Sequence, residues 1–437
     1  MPGRYRDAAA GARCHDAGGN SVNRISNEAG LGRQTMTGRW RRGVTWAAVS
    51  LSALALPLAT MATPAEAHSL PTRAGTASTV KHWGSFFGGA DALKPENTTT
   101  SPAPVTLPGP VAQVATSNST QYALLTNGSV YAWGLGNAGQ LGDGATANSF
   151  TTPVRVHFPA GVRIASLPVD VMPYDTGLAV DTSGHVWGWG ANQGGELCLG
   201  KPKRHLTPVR LPFRHVTAVA GAFDHALYDA RGRVWACGLN KLGELGDGKT
   251  RSRFRPVRVK HLGRHAHVVF LVAAFASSGA LLADGKYVDW GTNGEGQLGT
   301  GSTKTRSDVP VTVRLPAKVR QVTQGGSAPG NGQTLVQLTS GRLYAWGADG
   351  QGQLGDGKIT KEPSPELITP PAGVTYGALA SSGSTSYGIT LTGDVYAWGG
   401  GKEGQIGNGT TVRQFTPVKV ASGATGISAT ADDVLIK

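Results

Sequence analysis

A chain of 437 residues with 41 Lys and Arg against 27 Asp and Glu carries a formal charge of +14. Its 64 glycines and 25 prolines fall at repeating offsets between apolar runs, which excludes a disordered low-complexity chain. The length would hold two or three ordinary domains, but internal repeats bind most of it into one.

Taken in order, residues 1–35 are polar and rich in Gly, Ala and Arg, and read as an upstream extension, with Met36 a plausible start. Residues 36–67 read as a secretory signal peptide: the basic MTGRWRRG, an apolar run from Val44 to Ala62, and a small-x-small site at Ala65 to Ala67. Pro57 makes the run a poor spanning helix, so cleavage is expected rather than an anchor, with no stable membrane span afterwards. Arg41-Arg42 raises a twin-arginine route, which the following residues fit badly. The expected location is secreted or cell-envelope associated. Residues 68–79 form a linker, and 80–437 the folded domain.

That domain is written in repeats. YAWGLGNAGQLGDG from Tyr131 returns with variations from Trp187, Trp235, Tyr287, Tyr344 and Tyr396, and a worn copy begins at Lys81. The marker positions are Trp83, Trp133, Trp189, Cys237, Trp290, Trp346 and Trp398, at intervals of 50, 56, 48, 53, 56 and 52 residues. Such a period signals a repeat architecture. Within each unit an apolar run such as Tyr122–Leu125 meets a turn pair such as Asn127-Gly128 or Ser340-Gly341, where Gly supplies the positive φ of a tight hairpin. The strand ending in Trp follows, then the Gly-rich loop, then a strand expected to begin at Pro153, Pro208, Pro256, Pro310 or Pro417. One further strand before the apolar run (Val111–Ala115, Ala218–Ala220) makes a four-stranded antiparallel meander. Neither pleat face of Val130 to Trp133 is polar, as expected when each sheet is sandwiched between two others. The marker tryptophans, and Cys237 in their place, are therefore structural.

The C-terminal ATGISATADDVLIK resembles the first two strands of a unit; Lys81–Gly84 and Pro104–Leu107 resemble the last two. Two halves make a seventh blade shared by the termini, and closure removes the exposed sheet edges of an open stack. The expected fold is all-β, a seven-bladed β-propeller of four-stranded antiparallel blades. Cys14 lies in the excluded leader. Cys198 and Cys237 make no metal site; an exported protein could pair them, but with one in a buried Trp slot and one in a loop the expectation is two unpaired thiols.

The turn Gly, the Val-Tyr-Ala-Trp-Gly strand and the Gly-Gln-Leu-Gly loops at Gly139, Gly296 and Gly352 resemble the regulator of chromosome condensation repeat family over about residues 80–437. The resemblance implies the same seven-bladed propeller. One departure stands out: the family's His before the second strand survives only as His225.

Catalytic chemistry is not supported. The G-x-G-x-x-G strings at Gly294 and Gly350 recur as blade loops with no helix after them, so they are not phosphate cradles. His261, His265 and His267 read as solvated residues of a blade connection rather than a metal site. No carboxylate pair or nucleophile-base pair stands out, and no cofactor is expected.

Charge carries the functional signal. Beyond residue 67 the chain has 33 basic against 23 acidic residues, and between Lys201 and Arg264 it has 15 against 4. The expected partner-binding residues are Lys201, Lys203 and Arg204, then Lys249, Arg251, Arg253, Phe254 and Arg255, then Lys304 and Arg306. By position they belong to the loops after the marker strands. The turn residues Phe223, Asp224 and His225 share that face by strand alternation. Lys358, Lys361 and Arg413 extend the arc to later units. Such a face attracts an anionic partner in a salt-sensitive way.

The leading expectation is an exported, monomeric, non-enzymatic binding or scaffold propeller that engages a protein or an anionic cell-envelope polymer. The resemblance also extends to secreted propellers that inhibit β-lactamase; those use aromatic loop residues, and here the loops offer only Phe150, Phe223 and Phe254. Guanine-nucleotide exchange on a small GTPase is a disfavoured alternative, since the intervals leave no room for a long inserted wedge. Nucleic acid is ranked lower too, because the basic sector lacks interleaved aromatics for stacking.

Overall fold

The computed structural model describes residues 79–85, 98–168, 171–263, 266–302, 304–328 and 330–437. The expected signal peptide, the upstream extension, all of the linker but its last residue, Cys14, Arg264 and His265 lie outside them.

The described residues form seven four-stranded sheets and no helix. Blade one holds β3 (Val111–Ser117), β4 (Thr120–Leu125), β5 (Val130–Gly134) and β6 (Ser149–Arg155). Blade two holds β7 (Ile164–Ser166), β8 (Thr176–Asp181), β9 (Val186–Gly190) and β10 (His205–Arg210). Blade three holds β11 (Val216–Ala222), β12 (His225–Ala230), β13 (Arg233–Gly238) and β14 (Arg253–Arg258). Blade four runs from β15 (Val268–Ala274) through β16 (Ser277–Leu282) and β17 (Tyr287–Thr292) to β18 (Arg306–Thr312). Blade five runs from β19 (Val319–Gly325) through β20 (Gln333–Leu338) and β21 (Leu343–Gly347) to β22 (Glu362–Ile368). Blade six comprises β23 (Tyr376–Ser382), β24 (Thr385–Thr390), β25 (Val395–Gly399) and β26 (Gln414–Ala421).

The seventh blade closes the ring as expected. Its strands are β27 (Ile427–Ala429), β28 (Asp433–Ile436), β1 (Thr79–Ser85) and β2 (Thr98–Thr106), in the order β2-β1-β28-β27. Trp83 of β1 stands opposite Val434 of β28. The seam to blade one is polar as well as apolar: Thr116 and Ser428 hydroxyls lie 2.8 Å apart, and the Gln121 amide donates to Asp433.

The six marker tryptophans are fully buried, on the order of 150–250 Å² of ring surface each. Five of them donate their indole N–H to a carbonyl in the Gly-rich loop of the preceding blade. Trp189 reaches Gln140 at 2.9 Å, Trp290 reaches Glu244 at 2.7 Å and Trp346 reaches Gln297 at 2.9 Å. Trp398 reaches Gln353 at 3.1 Å and Trp83 reaches Gln405 at 2.8 Å. Two residues after that carbonyl stands a Gly at positive φ whose missing Cβ leaves room for the ring. A Cβ on Gly142 would lie 2.8 Å from Trp189, and one on Gly246 would lie 2.9 Å from Trp290.

Two expectations need correction at this level. Cys198 and Cys237 are not free thiols but a disulfide, with their Cα atoms 5.5 Å apart. Cys198 holds the Gly slot of blade two's loop, at φ 60°, and Cys237 holds the Trp slot of blade three. Both halves of one Gly–Trp contact have been exchanged together, so a covalent bond replaces the packed ring. Tyr228 donates its hydroxyl to Glu196 at 2.7 Å, taking the carbonyl that an indole would have used. The outer strands, in turn, do not start at proline. Pro153, Pro208, Pro256, Pro310 and Pro417 sit within β6, β10, β14, β18 and β26. There each missing N–H falls beside a break in register on an outermost strand, as between Ala236 and Gly238, where no ladder bond is lost.

Candidate functional site

The loops between third and fourth strands lie on one face of the ring with the first-to-second-strand turns. Blade two's loop touches blade three's turn: a Cβ on Gly194 would meet Asp224 at 2.4 Å. The basic loops are held by one asparagine each. Asn240 donates its amide to the carbonyls of Lys249 at 2.9 Å and Arg251 at 3.2 Å, and accepts from the Leu245 N–H at 2.9 Å. Asn192 does the same for Lys201 and Lys203, and Asn293 for Ser302 and Lys304. With the main chain pinned inward, the side chains of Lys201, Lys203, Lys249, Arg251 and Lys304 are left exposed.

Ion pairing separates these cations into two sets. Among the described residues Lys201, Lys203, Arg204, Lys249, Arg251, Arg255 and Lys304 have no carboxylate within salt-bridge distance, although Arg204 reaches the Asn137 carbonyl at 3.4 Å. Arg253 is spent within its own loop on Asp247, at 3.1 Å, and Arg306 on Asp308, at 2.9 Å. Further round the ring Lys358 sits on Asp356 and Glu366, and Lys361 on Glu295. Arg413 lies over the Phe415 ring at 5.0 Å. Unpaired cations therefore concentrate on blades two and three, with Lys304 beside them on blade four.

The turn residues behave differently from the loops. His225 is buried; its Nε2 stands 3.0 Å from the Ser278 hydroxyl, and burial lowers its pKa to about 4. A neutral, enclosed imidazole is unavailable to a partner, so His225 leaves the predicted surface set. Asp224 is half-buried, and burial with Asp175 nearby raises its carboxyl. Phe254 is 36% exposed and leans on blade two, where a Cβ on Gly195 would meet it at 2.3 Å.

Two features were not read from the sequence. The first is a groove of about 670 Å³ along the outer edge of blade three. Arg233, Lys249, Arg253, Arg258 and Lys260 line it, with Asp247 as its one carboxylate. It carries the positive charge from the loop face past β14 to Lys260, along the edge of the sheet that has no neighbouring strand. The second is an axial mouth of about 270 Å³, where the turns of the seven blades converge. Tyr174, Phe223 and Phe275 line it as neighbours, with ring centroids 5.7 Å and 4.1 Å apart. The face thus offers Tyr174 and Phe275 besides the three phenylalanines named from sequence. Asp432 also lines this mouth, its carboxyl pushed up to about 7 by burial, with Glu403 and Asp433 adding to the rise. Glu196, in the loop of blade two, is likewise pushed up to about 7 by burial, with Asp224 adding to the rise, and its Oε2 has no hydrogen-bond partner.

His261 and His267 are exposed on the opposite connection. No helix among the described residues is long and apolar enough to cross a membrane.

Comparison with known proteins agrees with this architecture. Residues 66–369 match the RCC1-like domain, and residues 392–430 the regulator of chromosome condensation (RCC1) repeat. The ultraviolet-B receptor UVR8 of Arabidopsis thaliana is 28% identical over 67% of this chain and 53% of its own length. The E3 ubiquitin-protein ligase HERC2 of Homo sapiens is 29% identical over 80% of this chain, but only 7% of that protein. The chain spans about half of the first of these relatives and a small part of the second. Among solved structures, human WBSCR16 superposes with a TM-score of 0.71 at 21% identity, covering 82% of this chain and 98% of that one. Prp20p of Saccharomyces cerevisiae, described with its binding to Gsp1p and histones, gives 0.71 at 20% identity over 84% and 92%. The chain belongs to the RCC1-like domain family.

Proposed function

We propose that this propeller is a non-enzymatic binding scaffold that docks an acidic segment of a partner protein on the loop face and outer edge of blades two and three. The observation that carries the reading is the run of unpaired cations, Lys201, Lys203, Lys249, Arg251 and Arg255, continuous with the groove lined by Arg233, Arg258 and Lys260. Cations without internal partners keep their charge for a ligand, and clustered cations raise the local concentration of an anion. Phe254 adds an apolar contact at the centre of the patch. UVR8 is described as a receptor, HERC2 as an E3 ubiquitin-protein ligase and Prp20p by its binding to Gsp1p and histones, in keeping with a platform for protein contacts. Export by the segment at 36–67, with a cell-envelope partner, belongs to the same proposal.

The test is affinity capture with the full chain and with K249E/R251E/R255E, which spares the Arg253–Asp247 pair. The reading expects loss of the captured acidic partner with retained folding, and K286E, whose cation already pairs with Asp284, as a silent control. Unchanged capture by the triple variant contradicts it. Nucleotide release from a small GTPase on addition of the chain would replace it with exchange activity.

A further inference from the structure

The turns between first and second strands meet at the ring axis, so one turn position can be compared blade by blade. At its first residue, blades two, three and four carry Tyr174, Phe223 and Phe275, whereas blades six and seven carry Gly383 and Ala431. The axial mouth therefore has an aromatic side and, across from it, a side built of very small residues. Phe223 holds its place at a conformational cost: it sits at φ 49°, in the left-handed region where Gly383, at φ 36°, meets no Cβ penalty. Its ring lies at 69° to Tyr174 and 38° to Phe275, so the three rings make a curved wall rather than a flat stack.

The charge beside this wall is all of one sign. No lysine, arginine or histidine lines the mouth, and Asp432 is its one carboxyl. The second residue of the turn is Asp175 in blade two, Asp224 in blade three and Asp432 in blade seven. Burial raises the pKa of the Tyr174 hydroxyl, and these three carboxylates add to the rise, which places them within electrostatic reach of the ring. Asp175 accepts hydrogen bonds from Ser119 at 3.1 Å and Gln140 at 3.2 Å. The Asp432 carboxylate has neither a hydrogen bond nor an ion pair among the described residues. Gln324 and Ser382 also line the mouth; both are buried, and Gln324 Oε1 and Ser382 Oγ have no hydrogen-bond partner.

We propose that the axial mouth binds a small methylated ammonium ion, seated against Tyr174, Phe223 and Phe275 with Asp432 as its counter-ion. Ring quadrupoles attract a cation, and do so most strongly when it has shed its water. A methylated ammonium sheds water readily, and its methyl groups suit the apolar lining at Ala222, Ala273 and Ala274. The orphan acceptors add negative potential and would take a proton from a hydroxyl on the ligand. A cavity of about 270 Å³ lies just under the roughly 300–1,000 Å³ of sites for drug-sized molecules, so the guest is small. The site is separate from the cations of blades two and three and does not rest on the docking assigned to them.

The test is calorimetric titration of choline chloride into the full chain at constant ionic strength, beside sodium chloride and the neutral isostere 3,3-dimethylbutanol. A saturable one-site heat is expected from choline alone. D432N, which keeps the shape and removes the charge, should weaken binding about tenfold or more, since loss of an ionic partner is worth at least 1.4 kcal/mol in a desolvated site. Y174L and F275L keep apolar bulk and remove the ring; each should weaken binding by about 2- to 30-fold. K249E/R251E/R255E should bind choline as the unmodified chain does. Melting curves of each variant separate a lost site from a lost fold. No saturable heat from choline, equal heat from the neutral isostere or from sodium, or unchanged affinity in folded D432N or in folded Y174L and F275L overturns the proposal.

Discussion

Blades three and five share a frame and differ in what the frame displays. In both, an inward polar side chain after the marker strand pins a loop, and a proline-interrupted outer strand follows. Blade three threads Lys249-Thr-Arg-Ser-Arg-Phe-Arg255 through that frame and leaves most of its cations unpaired. Blade five threads Lys358-Ile-Thr-Lys-Glu-Pro-Ser-Pro-Glu366, and its cations are consumed by Asp356, Glu366 and Glu295. Position within the repeat fixes where a side chain points; pairing decides whether its charge is available. The expected arc of like-placed cations is therefore a sector, because placement alone does not make a binding surface.

The junctions make the contrast testable, since the join between blades two and three is covalent and the others are packed. Removing the disulfide with C198A/C237A should lower stability most, by about 4 kcal/mol in the chain-entropy picture for a loop of this size, as measured by denaturant melts under oxidising conditions. The double change C198G/C237W, which rebuilds the junction used elsewhere, should recover part of that loss. A variant no better than the alanine pair would show that the neighbouring strands have moved to suit the bridge. Trp290→Ala at a packed junction should cost about 3–5 kcal/mol, read from the same melts. A loss below 1 kcal/mol would mean the ring collapses around the vacancy.

Smaller effects sharpen the comparison of charge. Glu196 occupies the place held by glutamine at Gln140, Gln297, Gln353 and Gln405. Burial lifts its folded-state pKa to about 7, so its contribution to stability is full below its unfolded value, near 4.5, and is lost as pH rises through 7. Glu196→Gln should therefore raise the thermal midpoint at pH 8 and change it little at pH 4.5. A gain equal at both pH values would assign the effect to packing. The exposed Lys286–Asp284 pair should matter least, with Lys286→Ala within about 0.5 kcal/mol of the unmodified chain.

The blade count and the ring closure were legible from sequence because they rest on period and on residues that must be buried. Trp133, Trp189 and their equivalents repeat at one offset, and the half-units at the two ends sum to a blade. The disulfide was legible too, had the two departures been read as a pair: Gly to Cys at 198 and Trp to Cys at 237 fall on residues that touch in every other described junction of the kind. What could not be read was pairing across blades. Lys361 meets Glu295 from the preceding unit, and Tyr174 meets Phe223 across a blade boundary, contacts that no within-repeat offset encodes. His225 was misplaced for a related reason: alternation gives the face of the sheet but not the depth below the rim, and the next blade covers it through Ser278.

The most direct measurement is the salt dependence of partner binding by the unmodified chain beside K249E/R251E/R255E. Unpaired cations on blades two and three predict affinity that falls steeply with ionic strength, and a triple variant that binds weakly at every salt concentration. Equal affinity and equal salt slope in the two proteins would contradict the assignment of binding to this sector.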